Sequence, residues 1–239
     1  AIAYQVQGAL NQLVANFQLA LNPPIVKSYA RGEMDYMHRL IISGSKLSFF
    51  LLFLFAVPVG LETPLLLSIW LKEVPMHTVL FTNLILIVGC VDSLSGTLMT
   101  AAQASGKIKK YQMFVGLLLI LNLPVSYVVL KLGGSPESTM VVAVVISLIA
   151  LLVRLRIISP LVQMPVCTYC RETLVPVVLT SIPSIALGYG VKKWLRGDDL
   201  LHGLLVILLS FAISATFVYL VGLSQQERRI VRSRICKNK

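Results

Sequence analysis

The sequence contains few charged residues. Only 13% of its 239 residues are Asp, Glu, Lys or Arg, whereas 56% are hydrophobic. A soluble domain typically has about 25% charged and roughly 45–50% apolar residues, because it needs polar surface to cover its core. The scarcity of charge excludes a secreted, disordered or ordinary cytosolic protein and indicates an integral membrane protein.

Residues that bind metals or perform catalysis are also scarce. His38, His77 and His202 lie far apart, and Cys167 and Cys170 form a single CxxC without a second pair of ligands. The sequence has no HExxH motif, no Gly-rich phosphate loop and no recognisable Ser/His/Asp arrangement. Nothing in it argues for an enzyme, a metal site or a cofactor.

Long apolar runs are abundant instead. They do not alternate with polar residues, so they predict membrane-spanning helices of about 20 residues and not the strands of a barrel. The predicted spans are 2–21, 47–67, 79–102, 111–130, 140–158, 174–191 and 201–223. We therefore predict an all-α integral membrane protein with a seven-transmembrane-helix bundle over residues 1–223 and a basic tail over 224–239.

The 21 basic residues are distributed unevenly between alternate loops. One set of sixteen is Lys27, Arg31, Arg39, Lys46, Lys107, Lys109, Lys110, Arg154, Arg156, Arg171, Arg228, Arg229, Arg232, Arg234, Lys237 and Lys239. The other five are Lys72, Lys131, Lys192, Lys193 and Arg196. Because positively charged loops stay in the cytoplasm, the N-terminus is predicted to be outside and the tail cytoplasmic. Orientation thus explains the net charge of +11 without a nucleic-acid partner.

The chain begins directly with a predicted span. No charged region of the kind that opens a signal peptide precedes it. An odd number of spans with an external N-terminus predicts that a preceding part also contains an odd number. We therefore expect the C-terminal half of a longer transporter, with a processed or cropped chain as the alternative.

The first predicted span is rich in amides. At about 100° per residue they form two stripes. These are Gln7, Asn11, Gln18 and Asn22 in one stripe, and Gln5, Gln12 and Asn16 in the other. Amides in hydrocarbon need partners, so the stripes either hydrogen-bond to neighbouring helices or line the path of a polar substrate.

The third predicted span carries Asp92, the one acidic residue well inside a span. Ser93 and Gln103 belong to the same polar face. A carboxylate inside a membrane is costly unless it is paired, protonated or hydrated, which makes Asp92 a candidate for ion coupling or gating. The alternative is a neutral Asp92 hydrogen-bonded to Ser93, Ser95 or the first span.

Three cations, Lys27, Arg39 and Lys46, lie at the predicted cytoplasmic entrance. They are candidates for contact with an anionic head group of a lipid or substrate. The alternative is that they only set the orientation of the chain and extend to the membrane surface.

Three stretches resemble bacterial polysaccharide flippases of the multidrug/oligosaccharidyl-lipid/polysaccharide exporter (MATE-like) superfamily. The first is NFQLALNPPIVKSYARGEMDYMHRLIISGSKLSFFLL at 16–52, with a K-x-Y-A-x-G link at 27–32. The others are LSIWL at 67–71 and LMTAAQASGKIKKYQ at 98–112, which resemble the C-terminal half of O-antigen transporters. The similarity covers residues 1–195, and the order and spacing of the motifs carry most of it.

The resemblance implies one half of a transporter with twelve to fourteen helices in two bundles. Such a protein moves an undecaprenyl-diphosphate-linked oligosaccharide across the bacterial inner membrane by alternating access, for lipopolysaccharide or polysaccharide biosynthesis. Because only one bundle is present, the implied partners are a missing N-terminal half or a second copy, together with membrane lipids. The diphosphate would meet Lys27, Arg39 and Lys46, and the sugar would meet the amides.

Three other functions are compatible with the sequence. One is an ion-coupled drug antiporter of the same superfamily, which would also hold a carboxylate in the bundle. Another is a non-transporting half-bundle. A seven-helix receptor is the third, although the seventh span has no lysine for a retinal and the external loops have no cysteine pair.

Overall fold

The structure, a computed structural model, describes residues 2–71, 73–195, 197 and 199–236, with the backbone alone at 230, 231 and 233–236. All regular secondary structure in these residues is helical. The helices are α1 (Ile2–Ala30), α2 (Met34–Leu61), α3 (Thr63–Trp70), α4 (Thr78–Ser93), α5 (Gly96–Ala104), α6 (Ile108–Ile120), α7 (Asn122–Lys131), α8 (Ser138–Leu161), α9 (Val166–Tyr169), α10 (Val175–Trp194), α11 (Leu200–Phe217) and α12 (Gln225–Cys236). Two π-helical segments, Cys170–Leu174 and Val218–Gly222, follow α9 and α11. Four of the basic residues counted above, Lys72, Arg196, Lys237 and Lys239, lie outside the described residues.

Six segments are long and apolar enough to cross a membrane. They are Met34–Leu61, Thr78–Ala104, Ile108–Lys131, Ser138–Leu161, Val166–Trp194 and Leu200–Gly222. The predicted all-helical, multi-pass architecture is confirmed at this level. The first predicted span forms part of the 29-residue helix α1, which is long enough but less apolar because of its amides. The count of seven spans therefore stays a prediction.

Three of the predicted spans are divided into two helices. The span at 47–67 divides at Glu62, because Pro64 lies in the first turn of α3 and cannot donate a backbone hydrogen bond to α2. The span at 111–130 divides at Leu121, ahead of Pro124. The span at 79–102 divides at Leu94 and Ser95 without a proline, and this division positions the candidate site described below.

Helix α2 lies at the centre of the bundle. It packs against α1, α4 and α5, and also against α10 and α11, whereas α8 joins α4 and α5 to the peripheral pair α6 and α7. Helices α10 and α11 pack closely, with Gly188 of α10 beside Ser210 of α11, whereas Gly203 of α11 lies against Leu65 of α3. The α6–α7 segment is almost entirely exposed on its apolar surface, as expected for a helix that faces lipid.

Polar contacts join the loops at each end of the bundle. At the end predicted to be cytoplasmic, a ring nitrogen of His38 lies 2.7 Å from the carbonyl oxygen of Val162. At the opposite end, Lys192 pairs with Glu62 at 3.4 Å, and His77 contacts Glu137. The orientation of the chain in the membrane stays a prediction.

Candidate functional site

The candidate site is the interruption between α4 and α5. Asp92, Ser93, Ser95 and Gly96 surround it, and side chains of Asp and Ser compete with the helical backbone for hydrogen bonds. The backbone tightens here, since the Leu94 N–H donates to Val91 at 3.2 Å and the Ser95 N–H donates to Asp92 at 2.9 Å. The span predicted for 79–102 is therefore present as Thr78–Ala104, but its helix is interrupted. The turn leaves the carbonyl oxygens of Ser93 and Leu94 free for other donors.

Three side chains from distant parts of the chain satisfy these freed carbonyls. Gln18 of α1 donates to the Ser93 oxygen at 2.9 Å. Ser45 of α2 and Tyr169 of α9 both donate to the Leu94 oxygen, at 2.9 and 3.1 Å. Unsatisfied backbone groups are not tolerated in a membrane, so an interrupted helix persists only where protein or water supplies partners. Here three other helices supply them.

Tight backbone contacts hold the same region together. A Cβ atom added at Gly96 would lie 2.1 Å from the Gln18 side-chain oxygen, and one added at Gly44 would lie 2.8 Å from the Thr97 methyl group. Thr97 in turn donates to the Ile41 carbonyl at 3.1 Å and lies 2.6 Å from the Ser45 hydroxyl. Glycine at 44 and 96 therefore allows α1, α2 and α5 to approach closely.

Asp92 lies at the start of the interruption and contacts α8. Ser147 donates to its carboxylate at 2.5 Å, and a guanidinium nitrogen of Arg154 lies 3.8 Å from the same oxygen. The Asp92 side chain is 48% exposed and that of Arg154 only 9%, so the carboxylate is accessible while its cation is buried. The partners from α8 replace those expected from Ser93, Ser95 or the first span. Arg154, which was counted among the cytoplasmic cations and falls within the predicted span 140–158, lies inside α8.

The two amide stripes of α1 have different environments. In the first stripe, the Asn22 side chain accepts from Thr100 at 2.6 Å, while Gln7 and Asn11 lie against Gly89 of α4. The whole first stripe is partly buried: Gln7, Asn11, Gln18 and Asn22. The second stripe is exposed: Gln5, Gln12 and Asn16, with a contact of 3.5 Å between Gln12 and Asn16. Hydrogen bonds to other helices thus account for Gln18 and Asn22 of the first stripe, Gln7 and Asn11 pack against Gly89, and the second stripe is exposed.

The remaining predicted path residues are also divided between interior and surface. Ser93 is buried, and its hydroxyl donates to the Cys90 carbonyl at 2.7 Å. Gln103 is exposed near the end of α5. The predicted path residues therefore differ in exposure, and the exposed ones are Asn16 and Gln103.

The three cations predicted to contact a head group also differ in their exposure. Lys27 and Arg39 are exposed, and Arg39 lies 5.9 Å from the ring centre of Tyr36. Lys46 is buried and forms an ion pair of 2.7 Å with Glu227. Burial raises the pKa of Glu227, but hydrogen bonds from Lys46 and the Ser224 backbone outweigh it, so the pKa lies below its ordinary value of 4.5. The charge of Lys46 is therefore already compensated within the chain.

Two cavities lie outside the interruption. An apolar one of about 350 Å³ is lined by α2, α4 and α10 around Phe53, Leu86 and Ile185. A more polar one of about 670 Å³ lies at the opposite end from Lys46, around the pair Glu62 and Lys192. In the part of the chain that the structure describes, no group of three His, Cys, Asp or Glu side chains could hold a metal ion.

The sequence reasoning missed Ser45, Ser147, Arg154 and Tyr169. Ser147 and Arg154 had a detectable signal, since seven residues place them on the same face of α8. Ser45 and Tyr169 had none, because their contacts with Leu94 span 49 and 75 residues of sequence.

Comparison with known families, curated proteins and solved structures gives no significant match.

Proposed function

We propose that the chain is a seven-span bundle that forms one half of a membrane transporter with twelve to fourteen helices. Its cargo is a lipid-linked oligosaccharide of the undecaprenyl-diphosphate type, which it moves across the bacterial inner membrane by alternating access. The observation that supports transport most strongly is the interrupted helix α4–α5, with the accessible carboxylate of Asp92 at the interruption and the buried Arg154 beside it. Interrupted helices and ionisable residues within spans are typical of binding and gating sites in transporters.

The charge arrangement supports a gating role for Asp92. Its carboxylate is half-exposed and bound through one oxygen to Ser147 and Arg154. A cation, a proton or a cargo group that competes for this carboxylate would weaken its attachment to α8. Because the α4–α5 turn carries both Asp92 and the carbonyls bound by α1, α2 and α9, such a change would reach several helices at once.

The outward-facing amides support a sugar as the cargo. Gln5, Gln12 and Asn16 offer neutral donors and acceptors on an otherwise apolar helix, which suits hydroxyl groups better than an organic cation. The exposed Lys27 and Arg39 are the accessible candidates for a diphosphate. Exposed amides are unfavourable against lipid, so this face of α1 is expected to meet the other bundle or a second copy across the cargo cavity.

An ion-coupled drug antiporter is the second candidate. The half-exposed carboxylate of Asp92 favours it, because a cationic drug or a coupling cation would bind such a group directly. The two functions differ in whether the outward amides matter for transport. They differ also in the molecule that accumulates when transport fails.

The test is export by cells that carry the complete reading frame with Asp92→Asn. The amide keeps the size of the side chain and removes its charge, so the pair with Arg154 is lost. We expect surface polysaccharide to fall about tenfold or more, equivalent to about 1.4 kcal/mol or more of lost interaction, with lipid-linked oligosaccharide accumulating inside. The matched control is Asp35→Asn, which removes an equal charge at the exposed start of α2.

Protein abundance in the membrane is measured for both variants. Normal polysaccharide export by Asp92→Asn at normal abundance would remove Asp92 from the mechanism. Normal glycan export combined with increased sensitivity to cationic drugs would instead identify the antiporter.

A further inference from the structure

The C-terminal helix α12 is basic and directly follows a membrane span. The last apolar span ends at Gly222, and α12 begins at Gln225. The sequence of α12 contains Arg228, Arg229, Arg232 and Arg234 against the single acid Glu227. A helix that starts within three residues of a span end cannot move far from the membrane surface.

The start of α12 is anchored to the bundle by several polar contacts. The Glu227 carboxylate accepts from the Ser224 N–H at 2.7 Å, and the Glu227 N–H donates to the Ser224 hydroxyl at 3.3 Å, which together form a capping box. The same carboxylate pairs with the buried Lys46. Arg228 donates to the carbonyls of Leu220 and Leu223, at 2.6 and 3.0 Å, where the π-helical segment leaves acceptors free.

These contacts fix which way α12 faces. Glu227 and Arg228 are used toward the bundle, whereas Arg229 and Arg232, three residues apart on one helical face, are exposed. Exposed arginines on a helix that directly follows a membrane span are typical of segments that contact the anionic head groups of lipids.

We propose that α12 is a membrane-surface helix that binds the phosphate groups of anionic phospholipids through Arg229 and Arg232. Phosphate diesters are the anions held at that depth, and a guanidinium group can donate two parallel hydrogen bonds to one of them. The ion pair between Lys46 and Glu227 sets the orientation of the helix. This role is independent of the cargo and of the gating role of Asp92.

The experiment measures hydrogen exchange of the α12 amides in the purified chain reconstituted into nanodiscs. One lipid preparation is phosphatidylcholine, and the other is an equal mixture of phosphatidylcholine and phosphatidylglycerol. We expect exchange to be about tenfold slower in the anionic discs, and high salt to reduce this difference. Arg229→Gln with Arg232→Gln should abolish the difference, and the lysine versions of both substitutions should retain part of it.

The matched control is Lys107→Gln with Lys109→Gln, which removes the same charge from exposed residues at the start of α6. This control should keep the lipid dependence of α12. The proposal is overturned if the α12 amides exchange equally fast in the two lipids, or if the arginine double variant keeps the full difference in exchange rate. It is also overturned if the lysine control loses that difference to the same extent as the arginine variant. Protection by an added single-stranded oligonucleotide but not by phosphatidylglycerol would overturn it in favour of a nucleic-acid partner.

Discussion

Asp92 and Arg154 differ in burial, and this decides which of the two tolerates loss of its partner. Removing the charge of Asp92 leaves a buried guanidinium uncompensated, whereas removing Arg154 leaves a half-exposed carboxylate that still accepts a hydrogen bond from Ser147. We expect Asp92→Asn to lower the free energy of unfolding by about 1–3 kcal/mol and Arg154→Met to lower it by less. The measurement is unfolding in mixed detergent micelles.

The double variant, Asp92→Asn with Arg154→Met, tests whether the two side chains stabilise each other or act independently. With both charges removed, no buried ion is left unpaired, so the loss should be smaller than the sum of the single losses. Asp35→Asn serves as the control and should change stability by less than about 0.5 kcal/mol. Additive losses would show that Asp92 and Arg154 do not interact energetically.

Glu227 gives the fold a defined response to acid. Its pKa in the folded chain lies below the ordinary value of 4.5, so its stabilising contribution is complete above that value and is lost as the pH falls through the folded pKa. The thermal midpoint of the wild type should therefore exceed that of Glu227→Gln at neutral pH. The two should converge as the pH falls below about 4.5.

The exposed Glu33, paired with Arg31 at 3.8 Å, provides the comparison for this titration. Glu33→Gln should leave the thermal midpoint almost unchanged at any pH, because solvent screens an exposed pair. If the thermal midpoints of the wild type and Glu227→Gln differ by the same amount across the acid range, the carboxyl group acts through packing and not through its charge.

The positions of the helices were predictable because long apolar runs require membrane spans. The places where a span is divided into two helices were predictable only in part. Pro64 and Pro124 are visible near two divisions. The interruption at Leu94 depends on donors 49 and 75 residues away, which a local pattern cannot contain. The predicted entrance cation Lys46 illustrates the same limit, since its partner Glu227 lies in the tail that was assigned to topology alone.

At the interruption, one backbone carbonyl accepts hydrogen bonds from two helices, which gives a prediction for this element. Ser45 and Tyr169 both donate to the Leu94 carbonyl, so Ser45→Ala or Tyr169→Phe alone leaves one donor in place. Each single change should cost about 0.5–1.5 kcal/mol, and the double change should cost more than their sum because the buried carbonyl is then unsatisfied. Unfolding in micelles measures the free energies, and hydrogen exchange at residues 93–97 reports the local opening.

Ser181→Ala is a suitable control for the loss of a hydroxyl, since among the described residues Ser181 donates only to the Val177 carbonyl of its own helix, at 2.7 Å. It should leave exchange at residues 93–97 unchanged. If the Ser45 and Tyr169 double variant behaves like the sum of its parts, the interruption is held by the backbone turn itself and not by α2 and α9.

At the scale of the whole molecule, α1 has one face that completes this bundle and one that does not. The first stripe bonds to α4 and α5 through Gln18 and Asn22. The second stripe projects Gln12 and Asn16 away from the bundle, where hydrocarbon would leave their amides without partners. The bundle thus presents a surface that suits a wet cavity or another helical bundle, as the proposed two-bundle transporter requires.

Exchanging the amides of each stripe for leucine separates packing from transport. Gln18→Leu with Asn22→Leu should lower the free energy of unfolding by about 2–3 kcal/mol, since two hydrogen bonds between helices are lost. Gln12→Leu with Asn16→Leu should leave stability unchanged, because these exposed side chains hydrogen-bond only to one another in the described part of the chain. It should nevertheless reduce polysaccharide export severalfold by making the cavity wall apolar. Unfolding in micelles and export in cells measure the two effects, and normal export by the outer-stripe variant would show that this face of α1 does not meet the cargo.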